Sequence, residues 1–206
     1  MSCTNRSNEK TEKVDSNGYL SELNQHETFQ QWVDYYEQFD TQFGWEKFEK
    51  RETDSLELLP GSVTPMWHPE FENYYQPLLI FSPDSSRYLD IDSYLWFVID
   101  KHSPNPEIGY SPDQEVNLVI LKDSTVNRIA FRGPSQRVED AIWLDKHAVA
   151  LLENNEEGRP MISIIELNHQ MVQYYEFPDS VTTARGYWDN RINKALQMLP
   201  EFLSRL

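Results

Sequence analysis

The chain has 206 residues, with 34 acidic against 18 basic side chains and a formal net charge of -16 at pH 7. A field of that sign repels phosphates and anionic lipid, so nucleic acid is excluded as the expected partner and unassisted membrane adsorption is disfavoured. A hydrophobic share of 39% and an aromatic share of 13% set the chain apart from disordered compositions and supply a core.

Residues 1–24 are polar and of mixed charge, which predicts a flexible tether ahead of a single globular domain over residues 25–206. No apolar run is long enough for a membrane-spanning helix, and the opening residues contain no hydrophobic signal segment. Cys3 is the one cysteine, so no internal disulfide and no cysteine-based metal cluster is expected.

From Glu27 to Lys50 the spacing is helical. Phe29, Trp32, Val33, Tyr36 and Phe39 fall three and four apart, on one stripe. Thr28 with Gln31 reads as a capping box, Gly44 as the end of the helix, and Trp45 and Phe48 as a second short helix. The stripe is expected to pack on a sheet. Residues 52–76 are punctuated by prolines and predict irregular structure.

Strands follow. Pro77 to Phe81 and Tyr94 to Ile99 are apolar at every position, and Arg87 to Ile91 lies between them after a Ser82-Pro83-Asp84 turn. Lys101 to Gln114 carries three prolines and predicts a loop. Three hairpins come next. Val116–Leu121 pairs with Val126–Arg132, Ala141–Leu144 with Ala148–Glu153, and Met161–Leu167 with Met171–Phe177. The apolar spacing from Ile192 to Leu206 predicts a terminal amphipathic helix, kinked or split at Pro200. The fold class is therefore α+β: a mainly antiparallel β meander or curved sheet, with an N-terminal aromatic helix and a C-terminal amphipathic helix.

Two resemblances accompany this reading. Cys3, preceded by the small residue Ser2 and followed by a polar spacer, resembles the amino terminus of a mature bacterial lipoprotein; the hydrophobic stretch that should precede Ser2 is absent. The resemblance implies lipidation at Cys3 and a place in the cell envelope. The phrases IFSPDSSRYLDI and AIWLDKHAVALLE resemble blade strands of TolB-like and WD40-like β-propellers, with Ser85 in place of the usual glycine. The β region supplies two or three blades, and closure takes at least four.

Catalytic signatures are missing. The sequence contains no G-x-S-x-G elbow, no P-loop, no G-x-G-x-x-G and no H-E-x-x-H, and its five histidines are scattered. Neither a cofactor nor a metal is expected. Asp84, Asp90, Asp92 and Asp100 crowd one hairpin. Asp90 and Asp92, two apart, would share a strand face, an arrangement able to hold Ca²⁺ or to raise one pKa; solvated turn residues are the simpler reading. Arg87 and Arg132 are candidate counter-ions. Arg185, Tyr187 and Trp188 form a candidate recognition spot before the last helix, with Asp189 or Asn190 as its simpler explanation, a helix cap. Together these features predict a non-enzymatic, envelope-associated binding module for a protein or other macromolecule, basic partners included, touching the membrane only through Cys3. A cytoplasmic acidic inhibitor or immunity-type protein is the second expectation, and a carboxylate-dependent hydrolase the third.

Overall fold

The structure, a computed structural model, describes residues 16–61, 63, 78–98, 108–183 and 186–197. Helices α1 (Ser16–Leu23) and α2 (Glu27–Glu37) come first, then a 3-10 turn over Trp45–Lys47. Strands β1 (Glu49–Ser55), β2 (Leu59–Pro60), β3 (Ile80–Phe81) and β4 (Arg87–Asp90) follow. After a 3-10 turn over Ser93–Leu95, β5 (Trp96–Val98) pairs with β6 (Ile108–Tyr110). The remaining strands are β7 (Gln114–Ile120), β8 (Thr125–Arg132), β9 (Gln136–Trp143), β10 (Ala148–Asn155), β11 (Pro160–Glu166) and β12 (Met171–Glu176), and helix α3 (Tyr187–Gln197) follows them.

Two five-stranded antiparallel sheets result, in the orders β1-β12-β11-β10-β9 and β2-β8-β7-β4-β3. Residue alternation explains how they stack. Along β10, Ala148, Ala150 and Leu152 enter one core, while Val149 and Leu151 enter another. A strand apolar at both parities must be covered on both faces. On one side lie α1 and α2, through Leu20, Leu23, Phe29, Trp32 and Tyr36. On the other lies the second sheet, through Leu89, Ile91, Val116, Leu118 and Ile129. The order is helices, sheet, sheet.

Polar links cross the layers as well. Arg132 of β8 donates from Nε to Glu153 of β10 at 2.6 Å and from Nη2 at 3.0 Å, and Glu153 is fully buried. The indole of Trp143 donates to the carbonyl of Ile80 at 2.8 Å, tying β9 to β3. Among the described residues no helix is long and apolar enough to cross a membrane.

The antiparallel α+β class and the three hairpins of residues 116–177 stand as the sequence predicts. The stripe of α2 packs on the first sheet through Phe29, Trp32, Val33 and Tyr36, whereas Phe39, expected on the same stripe, lies beyond the helix and is exposed. Several local expectations fail. The stretch expected as a tether contains α1, which buries Leu20 and Leu23. Helix α2 starts after His26 with no side-chain cap, so Thr28 is not its N-cap, and it stops at Glu37 rather than Gly44. Strand β1 was expected as part helix and part loop, and β6 as loop. Cys3, Arg185, Asp100 and the end of the tail helix with Pro200 lie outside the described residues.

Candidate binding site

The site begins with an irregularity in β9. Leu152 of β10 pairs with Asp140, but the next residue, Glu153, pairs with Val138, so Glu139 is the extra residue of a bulge. A bulge re-aims side chains that regular alternation would send to opposite faces. Glu139 and Asp140 both reach the head of α3. The main-chain N–H of Tyr187 donates to Glu139 Oε1 at 3.2 Å, and the Tyr187 hydroxyl donates to Asp140 Oδ2 at 3.4 Å. The first helical amide of α3 is thus satisfied by a strand carboxylate, which corrects the expectation that Asp189 or Asn190 caps the helix.

Glu139 is spent on further donors. The Trp32 indole and the Tyr36 hydroxyl donate to its Oε2 at 2.9 and 2.8 Å. Only 2% of the residue is exposed. Burial pushes its carboxyl up to about 7, against the lowering effect of those bonds. Burial also raises Asp140, although the nearby Arg191 charge opposes it.

Arg191 closes the arrangement. Its Nη1 and Nη2 donate to Asp92 Oδ2 and Oδ1 at 2.9 and 2.7 Å, a two-pronged pair that matches guanidinium geometry. Its Nε donates to the Glu139 carbonyl at 2.7 Å, and the Trp188 indole adds a bond to Asp92 Oδ1 at 3.0 Å. Burial works against the Arg191 cation, but Asp92 and Asp140 outweigh it and hold the guanidinium above its ordinary pKa.

The expected site residues therefore separate. Asp92, Tyr187 and Trp188 come together at the head of α3. Asp90 does not join them as a paired ligand. Its carboxylate accepts the main-chain N–H of Asp92 at 3.2 Å and of Ser93 at 2.9 Å, as well as the Ser93 hydroxyl. It is a buried turn cap, lifted to about 6 chiefly by burial. Asp90 and Asp92 are thus neither solvated nor a shared strand face. Asp84 sits apart in an exposed turn, where the Ser86 hydroxyl and amide and the Ser82 hydroxyl lower it to about 2. Neither expected counter-ion serves Asp92. Arg132 holds Glu153, and Arg87 lies 5.3 Å over the Trp143 ring. Among the described residues no three metal-type side chains converge.

Sequence reasoning missed Glu139, Asp140, Arg191 and Arg137. The available signal was the Glu-Asp pair directly before the apolar run of β9.

Beside this junction opens a cleft of about 590 Å³, between the β8–β9 turn, the β10–β11 turn, residues 181–183 and the head of α3. Glu139, Glu156 and Asp189 are among its lining residues. Arg137 lies with its guanidinium 5.5 Å over the Trp188 ring. Burial lowers the Arg137 pKa, opposed by Asp189 and Asp92. A second hollow of about 670 Å³ adjoins it, sharing Ser135, Gln136, Asn155, Glu156 and Glu157. No family model, no curated protein and no solved structure matches this chain.

Proposed function

We propose that the protein is a non-enzymatic binding module that recognises another macromolecule through the cleft at the head of α3 and is held at the cell envelope by lipid on Cys3. The observation that supports the binding reading is the division of labour around the cleft. Glu139, a buried carboxyl of the cleft lining, is already spent on three protein donors, while Arg137, Asn155 and Asp189 line an open space. A wall held rigid by its own bonds, with contact groups at its edge, is the build of a preorganised binding surface. The envelope location rests on Ser2, Cys3 and the polar spacer alone.

A photo-crosslinking side chain in place of Thr182, an exposed residue of the cleft, tests the binding reading in the native host. A discrete light-dependent adduct is expected from position 182 and not from Lys122, an exposed residue of the β7–β8 turn. Equal labelling from both positions would overturn the assignment of the cleft. Feeding a clickable palmitate analogue to wild type and Cys3→Ala tests the anchor, with membrane-bound label expected only in the wild type.

The net charge of -16 favours a second reading, an acidic inhibitor of a basic protein. That reading expects an adduct with a basic protein whose yield collapses as salt rises.

A further inference from the structure

We infer that the cleft at the head of α3 takes an uncharged saccharide chain. The inference rests on the cleft being the binding site and names its ligand class. Three amide side chains line the cleft, and each is anchored at one end by the fold. Asn154 donates from Nδ2 to the Tyr36 hydroxyl at 2.5 Å. Asn155 accepts through Oδ1 from the main-chain N–H groups of Glu157 and Arg159, both at 3.0 Å. Gln136 donates from Nε2 to Glu153 at 2.8 Å. Among the described residues the opposite ends have no partner: the Asn154 and Gln136 carbonyl oxygens as acceptors, and the Asn155 Nδ2 as a donor. Such groups meet a ligand without first losing rotamer freedom.

The charged groups follow the same mixture. Among the described residues no carboxylate lies within ion-pair distance of Arg137; its face rests on Trp188 and its five N–H donors remain. Glu139 is spent, and Glu157 faces Arg159 at 3.2 Å. That leaves Glu156 and Asp189 as acceptors against Arg137 as donor. The cleft keeps an excess of acidic groups and intermixes acceptors with donors.

A phosphate or carboxylate ligand only accepts, so it would confront the two amide oxygens and two carboxylates. An ammonium only donates, so it would use Glu156, Asp189 and the two amide oxygens but leave Arg137 and the Asn155 amide unpaired. A hydroxyl does both, and neighbouring hydroxyls of a sugar ring satisfy an acceptor and a donor side by side. Apolar ligands are disfavoured, because Pro134, Val181 and Trp188 are the few apolar residues in a lining otherwise made of polar side chains and Gly158 and Gly186.

Calorimetric titration of the full chain decides the matter, with neutral tetrasaccharides of glucose, mannose, xylose and N-acetylglucosamine in both anomeric linkages. Tetragalacturonate, tetralysine and inorganic phosphate serve as charged probes. At least one neutral tetrasaccharide is expected to bind, with affinity unchanged by about 0.5 M salt. Arg137→Ala and the cleft-filling Thr182→Trp, each checked for wild-type melting, are expected to weaken it about tenfold or more. Binding of tetralysine or of the anions alone would overturn the inference, as would sugar binding that survives both variants. Absence of sugar binding together with a position-182 crosslink would overturn the saccharide and leave the cleft as a binding site. Absence of both would overturn the two together.

Discussion

Arg191 and Asp92, 99 positions apart in the chain, form a two-pronged ion pair that pins α3 across the end of both sheets. Asp92 is 1% exposed on its side chain and Arg191 15%, so water screens the pair little. Two ion-paired groups at such depth are costly to separate, because the survivor keeps its desolvation penalty.

Arg191→Ala is therefore expected to lower the unfolding free energy by about 3–5 kcal/mol. Replacing both partners, Asp92→Leu with Arg191→Leu, is expected to regain part of that loss, since the Asp92 charge is no longer stranded while Asp140 still loses its neighbouring cation. Urea unfolding of the single and double variants provides the measurement. A loss below about 1 kcal/mol in Arg191→Ala would show that the pair carries little stability.

Stability should also fall as pH rises toward neutrality. The Glu139 carboxyl moves from its ordinary 4.5 to about 7 in the fold, so the folded state holds its proton more tightly. Its contribution is complete below pH 4.5 and is lost as pH rises through about 7. Asp90 acts with the same sign between 3.8 and about 6. Asp84, lowered to about 2, acts with the opposite sign in a lower window, where its contribution disappears as pH falls from 3.8. Each proton contributes a slope of up to about 1.4 kcal/mol per pH unit. Glu139→Gln should flatten the dependence between pH 4.5 and 7. It should also cost about 1 kcal/mol at low pH, where an amide nitrogen replaces one acceptor. Denaturant titrations across that range, in wild type and variant, compare the slopes; identical slopes would remove Glu139 as their source.

Leu23 distinguishes a core helix from a loose leader. It is fully buried against the α2 aromatics and the first sheet. Leu23→Ala is expected to cost about 3 kcal/mol through the lost transfer energy and the cavity left behind. A thermal melt unchanged from wild type would mean that α1 contributes nothing to the core.

Gly61 marks a close approach of chains. A Cβ there would lie 2.8 Å from the backbone nitrogen of Arg128 and would collide with Asn117 Oδ1. The amide of Gly61 is itself bonded to the Val126 carbonyl at 3.1 Å, so the backbone has no easy retreat. Gly61→Ala is expected to destabilise by about 1–3 kcal/mol as an overpacking change. Chemical denaturation measures it, and a stabilising result would contradict the geometry.

Much of the fold is legible in the chain because hairpins are local. The turns at Lys122-Asp123-Ser124-Thr125 and Asn168-His169 sit between apolar runs, and each strand finds its partner within a few residues. Strand β1, Glu49–Ser55, is exposed at every position and shows no alternation. It exists because the edge of β12 offers unpaired backbone groups about 120 residues away, a condition invisible in local spacing. The candidate site divides in the same way. Acidic residues near a hairpin, and an aromatic pair before the tail helix, can be read from the sequence. Which carboxylate meets which donor is decided by the β9 bulge and by the docking of α3, which bring Asp92, Glu139 and Arg191 together. By itself the sequence determines where the chain alternates and turns, because those depend on neighbours a few residues apart. The tertiary structure alone decides that Glu139 is buried among Trp32, Tyr36 and Tyr187 and that Arg137 is left with Trp188. Both depend on burial and on pairings between distant segments.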